Sequence, residues 1–195
     1  RPLFLLIWLC MWLTAATELG PGQWVANIFN EVLESGTQAG IILLVWVNGI
    51  MYLMRQLLGH VPHRISPTLL IVVTAPLAAV GLYLFGQTTT APMWFLAATF
   101  LAVGTAFWWP TMLGITSERF PAGGALLLAI VGASGSISTA VSGPTMGWIN
   151  DTYGARVVLP VWAILPAILF GIFTLIFLND RTKGGYRIER LSKMG

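Results

Sequence analysis

Charge is what this sequence has least of. Of its 195 residues only 9% are Asp, Glu, Lys or Arg, against about 25% in an ordinary soluble domain, which excludes a water-solvated globule. Ten Lys plus Arg against seven Asp plus Glu leave a net +3. That excess is too small and too scattered for a nucleic-acid groove, so no nucleic-acid partner is expected. A lone cysteine, Cys10, excludes a disulfide within the chain and any cysteine-built metal cluster. It lies in an apolar run and is expected to pack. The two histidines, His60 and His63, share a stretch with Arg64 and lack a third ligand, so neither metal nor cofactor is expected. What is present is apolar surface: 56% of residues are hydrophobic and the mean hydropathy is +0.81.

The gaps between charges act as a ruler. A spanning helix takes about 20 mostly apolar residues to cross roughly 30 Å of hydrocarbon. Charge-free stretches run over 2–17, 35–54, 65–117, 120–150 and 157–179. The third is long enough for two spans, and the breaker-rich run Gly86-Gln87-Thr88-Thr89-Thr90-Ala91-Pro92 divides it. Six transmembrane helices follow, an all-α polytopic membrane protein, with spans expected at about 3–33, 38–58, 67–86, 92–117, 124–149 and 157–178. The first admits two readings, because Glu18 interrupts it and Gly20, Pro21 and Gly22 follow. We favour one long kinked helix, since neighbouring helices can satisfy the backbone groups a membrane proline frees. Residues 1–178 then form one bundle, and 179–195 a basic tail.

Orientation follows from the cations. With six spans both termini share a side, which collects Arg1, Arg55, Arg64, Arg119, Arg181, Lys183, Arg187, Arg190 and Lys193, leaving only Arg156 of the ten opposite. The positive-inside rule makes the common side cytoplasmic. No initiator Met and no cleavable leader precede the first run, so the chain reads as part of something longer.

Polar residues inside spans are expensive, and their placement marks helices that line a cavity. Gln23, Asn27 and Asn30 fall on one face of the first span, and Asn48, Tyr52 and Arg55 repeat that spacing in the second. The fourth carries Thr105, Trp108, Trp109 and Thr111, the fifth Ser134, Ser138, Ser142 and Thr145. The third and sixth are almost wholly apolar. This threefold rhythm implies two three-helix repeats around a wet cleft. Interhelical hydrogen bonding by the same Asn, Ser and Thr residues, worth about 0.6 kcal/mol each, is the competing explanation.

Three local stretches carry a resemblance that covers nearly the whole chain. Gly49 through Arg64 is similar to the Gly- and Arg-marked loop between the eighth and ninth helices of the major facilitator superfamily of transporters. Trp109-Pro110 with Ser117-Glu118-Arg119-Phe120-Pro121 resembles the cytoplasmic exit of the tenth helix in its sugar-type members. Gly123-Gly124-Ala125 through Gly143-Pro144-Thr145-Met146-Gly147 is similar to the eleventh helix of fucose-permease-like proteins. The resemblance implies the C-terminal six-helix half of a twelve-helix transporter in a plasma (bacterial inner) membrane. Its partners are then the lipid bilayer, a small solute, a proton and the N-terminal half. His63 stands where members often carry a loop acid, which puts an acid-based latch within that loop in doubt.

Candidate sites follow. Glu18 is the acid placed within the hydrocarbon and the candidate for proton coupling, because a carboxyl there can gain and lose a proton as the cavity opens to either side. Its competing reading is an acid at a helix end. Arg55 and Arg64, with Glu118, are candidates for an ion pair closing the inward gate, weak enough at about 0–1 kcal/mol to break in every cycle. Solvated charges at helix ends are the alternative. Gln23, Asn27, Asn30, Asn48, Trp108 and Trp109 are candidates to grip a sugar-like solute, amides on hydroxyls and indole on the apolar face, although most tryptophans in such a chain pack or anchor at the interface. Gly143 with Gly147, and Gly36 with Gly40, suit close helix approach.

Rival classes are weaker. Gly132-Ala133-Ser134-Gly135 is similar to the serine motif of rhomboid-type proteases, yet a serine nucleophile needs a base in reach and both histidines precede it in a loop. No Asn-Pro-Ala pair marks a water or glycerol channel. A non-transporting anchor leaves Glu18 and the amide stripe without a purpose. No enzyme activity is expected.

Overall fold

The computed structural model describes residues 2–34, 37–59 and 64–189. Among these residues the regular structure is helical, with no strand: α1 (Pro2–Val32), α2 (Thr37–Leu58), α3 (Pro67–Gln87), α4 (Ala91–Thr105), α5 (Trp108–Arg119), α6 (Gly124–Tyr153), α7 (Ala155–Trp162) and α8 (Ile164–Thr182). A 3-10 turn over Pro121–Gly123 joins α5 to α6. Pairs α4–α5 and α7–α8 continue as broken rods, so the described residues form six helices long and apolar enough to cross a membrane.

Local chemistry explains several boundaries. The Ser66 hydroxyl accepts the Leu69 N–H at 3.3 Å and Pro67 occupies the first turn of α3, where its missing N–H is no loss. α1 runs unbroken through Pro21. Two other prolines stand just after breaks. Pro110 has no N–H to offer the carbonyl of Ala106, and Pro166 none to offer Trp162. α4 ends just before the first of these carbonyls and α7 ends at the second.

α3 packs against α4, α5, α7 and α8, while α1 packs against α2 and α6, and α2 reaches α4. Small residues allow the closest crossings. A Cβ on Gly81 would lie 2.6 Å from the Leu101 amide nitrogen, and one on Gly104 2.5 Å from that of Ala78. Phe29, Phe85 and Trp94 stack edge to face and tilted between α1, α3 and α4. α2 and α6 are the least covered rods, with 11% and 22% of their most apolar windows buried, against 56% for α4–α5. Their outer faces carry Ile41, Val45, Tyr52, Leu57, Ile130 and Val141.

The helix runs past residue 179, from which the sequence reading counts a basic tail. α8 continues to Thr182, and Asp180 in its last turn is buried in an ion pair with Arg119. Gly184 and Gly185, at φ 90° and 106°, then turn the chain back in a conformation that side chains disfavour. The Gly185 N–H bonds the Asp180 carbonyl at 2.8 Å.

Candidate functional site

The residues of interest converge where α1, α2 and the α4–α5 joint meet. Glu18 sits near the middle of α1 and Arg55 in the last turn of α2, and their side chains pair at 3.3 Å, Nη2 to Oε1. Arg55 is 44% exposed and Glu18 11%. The second carboxylate oxygen of Glu18 is buried without a hydrogen-bond partner among the described residues. The Arg55 Nε donates to the Ala106 carbonyl at 2.7 Å. Glu18, Arg55, Trp109 and Pro110 wall a cleft of about 500 Å³. Arg55 and Pro110 also belong to a neighbouring cleft of about 340 Å³, which Glu118 and Gly114 help to line.

An ion pair of Arg55 or Arg64 with Glu118 is not found among the described residues. Arg55 pairs with Glu18, not with Glu118. The Glu118 carboxylate is taken by the chain after α8, accepting the Tyr186 hydroxyl at 2.7 Å, while its backbone carbonyl accepts the Glu189 N–H at 2.8 Å. Arg64 is exposed in the turn before α3 and belongs to none of the described ion pairs. His60 and His63 lie outside the described residues.

The aromatic and amide candidates divide. Trp108 is fully buried and donates its indole N–H to the Thr74 hydroxyl on α3 at 2.8 Å, so it packs rather than reaches a solute. Successive helical residues point about 100° apart, and Trp109 is the one on the cleft, its ring 2.2 Å from where a Cβ on Gly135 would stand. The side-chain oxygen of Asn30 accepts the Gly40 N–H at 2.9 Å. It stitches α1 to α2 at a crossing where a Gly40 Cβ would meet the Ala26 carbonyl at 2.3 Å. Gln23, Asn27 and Asn48 stay on the surface of the bundle. Asn48 donates back to its own helix, to the Leu44 carbonyl at 2.8 Å, and the Gln23 side-chain oxygen lies beside Gly143 of α6.

The serines of α6 are interhelical glue or are folded onto their own helix. Ser138 donates to the Trp12 carbonyl at 2.8 Å, Ser142 to Ser138, and Ser134 to Val131, where it is buried. Trp162 likewise reaches across to the Ala16 carbonyl at 2.9 Å.

Sequence reasoning missed a second polar centre at the end of the bundle that holds the ends of α5 and α8. Arg119 and Asp180 form an ion pair, each side chain 10% exposed. Tyr186 lays its ring 4.7 Å from the guanidinium carbon of Arg119. Burial raises the Tyr186 pKa above its ordinary value; the adjacent Glu118 adds to the rise and Arg119 opposes it. The signal is present in the sequence, an arginine and an acid each closing an apolar run, but nothing local pairs the two. No protein-family model matches the chain, and no curated protein matches it.

Proposed function

We propose that the chain is the C-terminal six-helix half of an alternating-access transporter of the major facilitator type. Its cargo is a small polar solute, sugar or sugar-like, moved with a proton through a bacterial inner membrane, with both termini cytoplasmic. The observation that carries this reading is a carboxylate–guanidinium pair walling a cleft of about 500 Å³ among otherwise apolar helices. Charges inside such helices are rare and mark solute or proton pathways. Glu18 takes the proton. Its Oε2, buried with no hydrogen-bond partner among the described residues, suits a carboxyl that is neutral in the part of a cycle when the pair with Arg55 opens, since a buried charge left without its partner is far costlier than a neutral group. Trp109, Gln23, Asn27 and Asn48 are the remaining candidates for gripping the solute. The poorly covered faces of α2 and α6 are where the missing half would seat, and two three-helix repeats are part of the same proposal.

The test uses full-length protein in proteoliposomes with entrapped pyranine and a panel of neutral monosaccharides. We expect at least one sugar to drive proton influx. Glu18→Gln should abolish that influx while sparing exchange of the same sugar across the membrane. A panel in which no sugar moves protons or exchanges overturns the reading, and loss of exchange together with influx removes Glu18 from a purely coupling role.

A further inference from the structure

Pro110 withholds a donor, and the consequence is written into the packing. A helix interior needs every carbonyl to meet the N–H four residues on. Pro110 leaves that of Ala106 unmet, and the helix is interrupted between α4 and α5. The donor comes from a distant part of the chain. Arg55 Nε reaches the Ala106 carbonyl at 2.7 Å, 51 residues away in sequence. Its Nη2 meets Glu18 Oε1 at 3.3 Å. One planar group thus ties α2 to α1 and to the joint. The guanidinium suits this because it presents several donors in a rigid fork, whereas an ammonium is a compact point charge.

We propose that Arg55 is a positioning residue, the surrogate donor that closes the gap Pro110 opens and so fixes the α4–α5 joint. The bond to Ala106 is the essential contact and the pair with Glu18 aims the fork. The proposal rests on the transporter reading in one respect: Trp109 and Pro110, which the joint carries, form a wall of the proposed solute cleft. Its physical content concerns the joint alone.

Hydrogen–deuterium exchange of the full-length protein in lipid nanodiscs reads the joint directly, in the peptide covering residues 107–113. Arg55→Lys keeps the charge and loses the fork, and should speed exchange there about tenfold while α3 and α8 stay unchanged. Adding Pro110→Ala restores an N–H in the helix for the Ala106 carbonyl, and should bring exchange back to within twofold of wild type. Unchanged exchange in Arg55→Lys, or a double variant as fast as the single one, overturns the proposal. Glu18→Gln supplies a second measurement should Arg55→Lys fail to fold. It removes the charge pair and keeps the carbonyl bond, so the joint should stay within twofold; tenfold faster exchange there shows the ion pair to be the fastener and also overturns the proposal. None of these rates depends on a transported sugar, so failure of the transport reading is distinguishable from failure of this one.

Discussion

Trp108 and Trp109 are neighbours in sequence and opposites in surroundings, the first sealed against Thr74 and the second on a cleft. Trp108→Phe should therefore lower stability by at least about 1 kcal/mol, the worth of a typical hydrogen bond, with the void left by the smaller ring adding to it, read as a drop in the midpoint of thermal unfolding in detergent. A larger effect belongs to Arg119 and Asp180. Removing one partner of a buried pair leaves an uncompensated charge and costs about 3–5 kcal/mol, whereas an apolar pair of similar volume is often neutral. Asp180→Asn should destabilise severely, and Arg119→Met with Asp180→Leu should recover most of the loss in the same melting assay. At this scale the sequence exposed Glu18 and Arg55 because each charge interrupts or ends an apolar run. Their pairing was not legible, since Glu118 offered Arg55 an equally plausible acid and only packing shows that Tyr186 occupies it.

The six rods were legible from charge spacing because hydrocarbon thickness fixes their length. Their internal breaks were not. No charged residue marks 105–108 or 162–164, and proline alone does not separate a break from continuity, since α1, α3 and α6 run through Pro21, Pro76 and Pro144. Crossings depend on residues whose importance lies in absent atoms. Gly81→Val would drive side-chain carbon into the Ala97 carbonyl and the Leu101 backbone. Such overpacking typically costs about 1–3 kcal/mol, so the variant should melt earlier. Gly132→Ala, with open space at its Cβ, should melt as wild type does; equal melting of the two variants would show that the α3–α4 crossing is not tight.

For the molecule as a whole, the strap from Lys183 to Glu189 joins the ends of α5 and α8. Tyr186→Phe deletes a hydrogen bond to a charged acceptor, worth about 1.5–3 kcal/mol. Limited proteolysis within residues 183–189 should quicken roughly ten- to a hundredfold, read as loss of intact chain on a gel. The same group sets an alkaline limit. The folded pKa of Tyr186 lies above the unfolded value of about 10, so its contribution is complete below that pH and is lost as pH rises from there towards the folded pKa. Wild type should lose its stability margin over Tyr186→Phe across that alkaline window, and a margin constant up to and beyond it would contradict the assignment. The strap escaped sequence reasoning because nothing local distinguishes a basic segment that docks from one that stays solvated.

The pairing of Arg119 with Asp180 has a consequence for biogenesis. The two residues are 61 positions apart, and a ribosome adding about 5–20 residues per second needs roughly 3–12 s to travel from one to the other. Throughout that interval the cation has left the decoding centre and its counter-ion does not yet exist. Until then the acid beside Arg119 is its own neighbour Glu118, which the completed fold commits to the Tyr186 hydroxyl. Closure of that end of the bundle therefore waits on the last helix being made.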